Sequence, residues 1–153
     1  MATSTLKLYR KLKTLPLGGC AFNLAVSLKA PFFRTIRPNI VELEPSRCKI
    51  QIKDRWGVRN HIGTVNAVAM CTAAELAGGL ALDVTIPPEL RWIPKGMTVS
   101  YLKKAKGTLE CTCELNDALI QEGDITVPVV IRNAGKEDVF SADITMHVSR
   151  KKA

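Results

Sequence analysis

From Val65 to Leu82 the chain is an almost unbroken run of small and apolar residues, with Asn66 and Glu75 the clearly polar members before Asp83. Ala, Met and Leu favour helix, Thr64 is an acceptable N-cap, and the Gly78-Gly79 pair is expected to weaken the far end. A helix that is apolar on nearly every face is buried on nearly every face. Carrying one ionisable carboxylate through its middle is costly unless that group is paired or used. Glu75 is therefore the first candidate functional residue.

The flanking sequence says what buries such a helix. Ile40 to Glu44 alternates with period two, Pro45-Ser46 turns, and Cys48 to Lys53 alternates again, which reads as an antiparallel pair. After the helix, Ala81 to Ile86 reads as a short strand. Residues 87–94, with Pro87, Pro88 and Pro94, read as a crossing loop. Alternating strands are expected over Thr98–Lys106, Thr108–Leu115, Ile125–Asn133 and Asp138–Val148. Gly107, Asn116-Asp117 with Gly123, and residues 133–136 mark the turns. Upstream, Thr3 to Lys13 has the spacing of an amphipathic helix, broken by Pro16 and Gly18-Gly19, and Ala21 to Leu28 forms a second short helix closed by Ala30-Pro31. The order is two strands, one wholly apolar helix, then four or five strands, an α+β layout. A single long helix that is apolar all round needs a sheet that curls around it, and that arrangement is the hotdog fold. The expected division is a helical extension over 1–35, a hotdog domain over 36–149 and a basic tail over 150–153.

Charge narrows the partners. The net charge is +8, with Lys7, Arg10, Lys11 and Lys13 crowding the first helix, Lys103, Lys104 and Lys106 together, and Arg150-Lys151-Lys152 near the end. Such an excess suits an anionic partner. With aromatics at 5% and no stacking motif, nucleic acid is not expected. The five cysteines are odd in number and lack metal-ligand spacing, so no metal site is expected and reduced thiols in a cytoplasmic protein are the plain reading. Leu15 to Cys20 faintly echoes a lipoprotein cleavage site, but no apolar stretch precedes that cysteine; neither a targeting signal nor a membrane span is expected.

The residues around the helix carry a recognisable pattern. The chain resembles the hotdog-fold thioesterase superfamily, near the phenylacetate-degradation type of acyl-CoA thioesterase. That type shows an Asn, six residues later a His-Gly-Gly, and an Ala-Asp nine residues after the His. Here Asn60, Asn66-Ala67-Val68 and Ala74-Glu75 stand in those positions without gaps. The chain is more similar still to an uncharacterised hotdog subfamily marked by Asn-His-x-Gly-Thr before the helix and Ala-Glu-x-Ala-Gly within it, matched by residues 60–64 and 74–78. It departs from the thioesterase pattern where Asn66 replaces His and Ala67-Val68 replaces Gly-Gly.

The resemblance implies an acyl-CoA or related thioester as substrate or ligand, with no other cofactor. Hydrolysis needs a base or nucleophile and donors for the developing oxyanion. Glu75 is the expected base, made stronger by apolar neighbours (Cys71, Leu76, Leu80) that disfavour its anion. Backbone N–H groups of Ala67 and Val68 at the helix N-terminus are the expected oxyanion donors. Asn60 and Asn66 complete the catalytic set, and His61, Thr72, Lys103 and Lys104 are candidates for substrate binding, the two lysines for CoA phosphates. Each has a plainer reading: Asn60 and Asn66 as turn and cap residues, Thr72 as a donor to its own helix, Lys103-Lys104 as a solvated face. Asn66 and Glu75 are nine residues apart, ~13.5 Å along one helix and on opposite faces. They serve one thioester only if two antiparallel copies share the site, so a homodimer or dimer of dimers is expected. A non-catalytic acyl- or CoA-binding hotdog protein is the competing reading, favoured by the missing Gly-Gly.

Overall fold

The computed structural model describes residues 2–116 and 120–151. The expected turn position Asp117 and the tail residues Lys152 and Ala153 lie outside the described residues. Six strands form one antiparallel sheet: β1 (Asn39–Glu44), β2 (Arg47–Ile52), β3 (Leu90–Tyr101), β4 (Leu109–Glu114), β5 (Gly123–Arg132) and β6 (Asp138–Arg150). The order across the sheet is β1-β2-β4-β5-β6-β3, and every neighbouring pair is antiparallel. The helix α3 (Ala67–Thr85) packs against all six strands. A flat six-stranded sheet would be about 24 Å across at ~4.8 Å per strand, while a helix with its side chains is only about 10 Å wide. With its sheet curled around α3, which reaches every strand, the chain has the hotdog fold.

The alternation read from sequence is the alternation that fills the core. Cys48, Ile50 and Ile52 of β2, Leu109, Cys111 and Cys113 of β4, Val127, Val129 and Ile131 of β5, and Ile144, Met146 and Val148 of β6 all point inward and are at most 1% exposed. They meet Ala73, Ala74, Ala77 and Ala81 of α3, whose small side chains let the sheet approach closely. Gly78 belongs to this contact, since a Cβ there would stand 2.9 Å from Val127 Cγ1 and 3.3 Å from Ile144 Cδ1.

Five expectations are corrected. Residues 81–85 continue α3 rather than forming a strand, and Gly78-Gly79 lie inside the helix, kept there by packing: Gly78 faces the sheet and Gly79 faces Trp92, 2.6 Å from where its Cβ would be. Asn66, not Thr64, is the N-cap. The proline-rich segment is not a crossing loop throughout, because β3 begins at Leu90 and runs through Pro94. Pro94 is tolerated because β3 is an edge strand, paired only with β6, and the register shifts between Pro94 and Gly96. β3 also stops at Tyr101, short of the expected Lys106.

Two helices precede the sheet, α1 (Ser4–Lys13) and α2 (Gly18–Lys29), followed by a 3-10 turn over Pro31–Ile36. Thr3 caps α1 by accepting the Leu6 N–H at 3.3 Å. Leu6, Tyr9 and Phe22 enter the same buried cluster as α3 and the sheet, with Tyr9 and Phe22 edge to face at 5.0 Å. Gly18 begins α2 rather than merely breaking α1; a Cβ on it would lie 1.6 Å from the Leu12 carbonyl oxygen.

That contact yields a paired test. Gly18→Ala is expected to destabilise the fold at the upper end of overpacking, by about 3 kcal/mol, because the obstacle is backbone. Gly19→Ala, one residue on in the same helix with no heavy atom within 4 Å of its Cβ, is expected to stabilise by roughly 0.5 kcal/mol through helix propensity. Urea midpoints of the two variants should move in opposite directions. The thiols give a second test. Cys48, Cys111 and Cys113 are wholly buried, and burial raises all three thiols, Cys113 to about 12. Only exposed Cys20 and half-buried Cys71 should react with iodoacetamide in the native protein, and all five after unfolding.

Candidate active site on the central helix

The chain enters α3 through a turn built around one side chain. Asn60 Oδ1 accepts the N–H groups of Ile62 (3.2 Å) and Thr64 (3.1 Å), and its Nδ2 donates to Thr64 Oγ1 at 2.8 Å. The backbone closes the same turn, Asn60 N–H to Thr64 O at 2.8 Å and Gly63 N–H to Asn60 O at 3.1 Å, with Gly63 at φ +75°, a left-handed conformation that favours glycine. Val65 N–H to Ala105 O and Asn66 N–H to Val58 O, both 2.8 Å, tie the turn to the domain. Both ends of the Asn60 amide are thus committed to the turn. His61 and Ile62 sit exposed at its tip.

Asn66 Oδ1 accepts the Val68 N–H at 2.8 Å. This changes the account of the helix N-terminus, because one of the two expected oxyanion donors is already taken by the cap. The Ala67 N–H is the donor that the cap does not use. The Val68 side chain is 65% exposed and stands at the approach to this end of the helix. Thr72 Oγ1 donates to Val68 O at 2.9 Å and is buried, so its hydroxyl serves its own helix and not Glu75.

Glu75 is half-buried, not fully buried as its apolar sequence context implied. The reason is that Val68, Cys71 and Glu75 recur at helical spacing and form the stripe of α3 that the sheet does not cover. Along it, Cys71 Sγ lies 3.4 Å from the hydroxyl of Tyr101, at the end of β3. Among the described residues Glu75 makes no hydrogen bond or ion pair. It stands at the edge of an apolar pocket of about 240 Å³ bounded by Leu76, Gly79 and Leu80 of α3, Trp92 of β3, and Val26, Ala30 and Phe33 from α2 and the turn after it. The pocket extends from Glu75 toward the C-terminal end of α3, where Asp83 lines it. Sequence reasoning missed the wall formed by Val26, Ala30 and Phe33. No local signal marks residues some forty positions upstream as neighbours of Glu75.

At its far end the pocket shares Thr5, Lys29, Asp83 and Trp92 with a polar cleft of about 380 Å³, which Arg91 and Lys151 also line. Lys103 and Lys104 stand apart from both cavities, exposed on the segment that leads to Ala105 beside the helix N-terminus. Lys103 is paired with Glu137 at 2.6 Å. The expected binding residues are therefore not gathered around Glu75 within one chain: Asn60, Asn66, Ala67, Val68, His61 and the two lysines cluster at the N-terminal end of α3, and Glu75 is about two turns further along. Among the described residues no group of His, Cys, Asp and Glu is arranged to hold a metal ion.

A family model described as a domain of unknown function, DUF4442, matches residues 18–148. The protein crystallised as genomics APC5556 is 37% identical, with 97% of this chain and 100% of that one covered and a TM-score of 0.87. Protein PA5026 of Pseudomonas aeruginosa, described as a probable thioesterase, is 21% identical over 82% of this chain and 91% of its own, with a TM-score of 0.75. The Streptococcus mutans protein smu.793, crystallised bound to acetyl-CoA, is 21% identical over 76% and 91%, with a TM-score of 0.66. No curated protein matches the chain.

The two asparagines should separate by stability. Asn60→Ala leaves three donor or acceptor groups of the turn without a partner and is expected to cost about 1–3 kcal/mol. Asn66→Ala removes only a cap and is expected to cost about 1 kcal/mol. Chemical denaturation of both variants measures the difference.

Proposed function

Because the chain belongs to the DUF4442 family and carries the hotdog fold, we propose that it is an acyl-CoA thioesterase whose acyl group enters the pocket beside Glu75. The observation that carries this reading is a half-buried carboxylate, unpaired among the described residues, at the rim of an apolar pocket. An anion held so is either a base or a cost. The pocket has room for roughly eight water-sized groups at about 30 Å³ each, which suits a short or medium acyl chain or a tethered ring. With that group between Phe33 and Trp92, the thioester carbon lies at Glu75 and the carrier leaves toward the helix N-terminus, where Lys104, and Lys103 on exchanging Glu137 for phosphate, offer positive charge to CoA. His61, exposed on the same side, is placed to contact the carrier.

In the proposed reaction Glu75 takes a proton from water as the water oxygen attacks the thioester carbonyl. The tetrahedral oxyanion is held by backbone N–H, of which Ala67 supplies the group left open by the cap. Collapse breaks the carbon–sulfur bond, and the thiolate receives the proton from Glu75, giving a carboxylic acid and free CoA thiol. Glu75 and Ala67 are eight residues apart on α3, ~12 Å along the axis, so the donor comes from a second copy. The unpaired edge of β3, twelve residues long with Ile93 and Tyr101 more than half exposed, is where a second sheet can pair. Free thiols suit a reducing, cytoplasmic setting.

One observation favours the second reading, a non-catalytic acyl- or CoA-binding protein: Asn66 occupies the Val68 N–H, and Val68 crowds the position where the resembled enzymes have glycine. Substrate hydrolysis separates the two. Across a panel of aliphatic and aromatic acyl-CoAs, Glu75→Gln is expected to lower kcat by at least 10²-fold with the fold intact, and wild-type turnover in that variant would remove Glu75 from the mechanism. Phe33→Ala, which opens the closed side of the pocket, is expected to shift preference to longer acyl chains by several carbons. Binding of a non-hydrolysable acyl-CoA thioether with no hydrolysis of any acyl-CoA would establish the binding-protein reading.

A further inference from the structure

α2 and the turn after it present an apolar stripe that no described residue covers. On its inner side Phe22 is 1% exposed in the core and Val26 walls the pocket. On its outer side Leu24 and Leu28, one turn apart, are 56% and 69% exposed. Leu17 before the helix and Phe32 after it, at 82% and 64%, extend the same line. A contiguous run of large apolar side chains in water marks an interaction surface.

Charge identifies the partner. Seven cations and no acid precede Glu42, whereas fifteen cations and fourteen acids follow from there on. The first 41 residues thus hold almost the whole net charge of +8. Lys11, Lys13, Lys29, Arg34 and Arg37 are exposed on the same segment, and among the described residues only Arg10 of the seven forms an ion pair, with Glu44. A second copy seated on this face by two-fold symmetry would press together two segments that carry cations and no acid of their own. Nucleic acid would satisfy the cations but offers leucines no apolar surface. An anionic bilayer satisfies both, with headgroups for Lys and Arg and the acyl boundary for Leu and Phe.

We propose that the α1–α2 segment docks this protein on anionic membrane surfaces, with Leu17, Leu24, Leu28 and Phe32 entering the acyl boundary and the surrounding cations against phosphate headgroups. Leu6, Tyr9 and Phe22 fasten the segment to the core, so docking fixes the orientation of the whole domain. The apolar pocket then lies one helix away from the bilayer, about 10 Å. The inference does not depend on hydrolysis.

The test is co-sedimentation of the full chain with vesicles of phosphatidylcholine alone and of equal parts phosphatidylcholine and phosphatidylglycerol. Binding is expected only to the second, weakening about tenfold between ~0.05 M and ~0.5 M salt. Leu24→Gln with Leu28→Gln is expected to weaken it about tenfold or more, with unchanged circular dichroism and melting, since both positions are exposed and Gln suits a helix. Lys11→Gln, Lys13→Gln and Arg34→Gln together should do the same, and decide the matter alone if the leucine pair disturbs the fold. Absence of binding to the anionic vesicles overturns the proposal, as does equal binding to both vesicles. So does a Leu24→Gln, Leu28→Gln variant that binds vesicles like wild type, or one whose solution mass falls while wild type ignores vesicles, which would make the stripe a contact between copies.

Discussion

The structure rests on the close approach of α3 to the inner face of the sheet. Ala73, Ala74, Ala77, Gly78 and Ala81 bring little side-chain volume, so the branched residues of β2, β4, β5 and β6 can reach the helix from several directions at once. A bulkier helix would hold the sheet off and leave its edge strands without contact. The same economy explains why a helix of low propensity at Gly78 and Gly79 is kept whole: packing outweighs the roughly 1 kcal/mol per residue that glycine costs in a helix. It also explains why α3, long and apolar enough to cross a bilayer, is instead a core helix within the sheet.

What the sheet leaves uncovered is a single stripe, and the candidate chemistry lies on it. A carboxylate facing the sheet would meet only Val, Ile, Leu, Met and Cys side chains and would be driven out by its own desolvation. On the open stripe Glu75 keeps access to water while Leu76, Leu80 and Trp92 stand beside it. The N-terminal helices turn that stripe into a pocket. Their contribution is geometric, since α2 brings Val26 and the following turn brings Phe33 across an opening that the sheet alone cannot close.

The sequence was most legible where one physical requirement acted alone. Alternation in β1, β2, β4, β5 and β6 reports burial of one face, and the apolar run reports burial of the helix, so both could be read without neighbours. Reading failed where two requirements competed. Residues 81–85 have the apolar, β-branched look of a strand, but continuing an existing helix is easier than starting a strand. Pro94 argued against a strand, yet an edge position removes the objection. At the site, the candidate carboxylate was visible as the lone acid of an apolar run, whereas the helix cap was expected at Thr64 and lies at Asn66. Depth of burial, the occupied Val68 N–H and the Phe33 wall were not visible, because each depends on contacts between segments far apart in the chain.

The occupied donor bears on how fast such a site can work. Loss of one oxyanion donor lowers kcat by about 10²–10³ in enzymes that use two. Asn66 satisfies the Val68 N–H at 2.8 Å, so in the proposed reaction an incoming carbonyl must either displace that bond or rely on Ala67. Displacement exchanges one hydrogen bond for another and costs little if the amide finds water, which the exposure of Val68 permits. Crowding by the Val68 side chain is the harder obstacle, because a β-branched residue in a helix has one strongly preferred rotamer and cannot swing aside. On this reading the cap tunes the rate and the valine limits which carbonyls approach, so selectivity is exercised at the helix N-terminus as well as by the pocket.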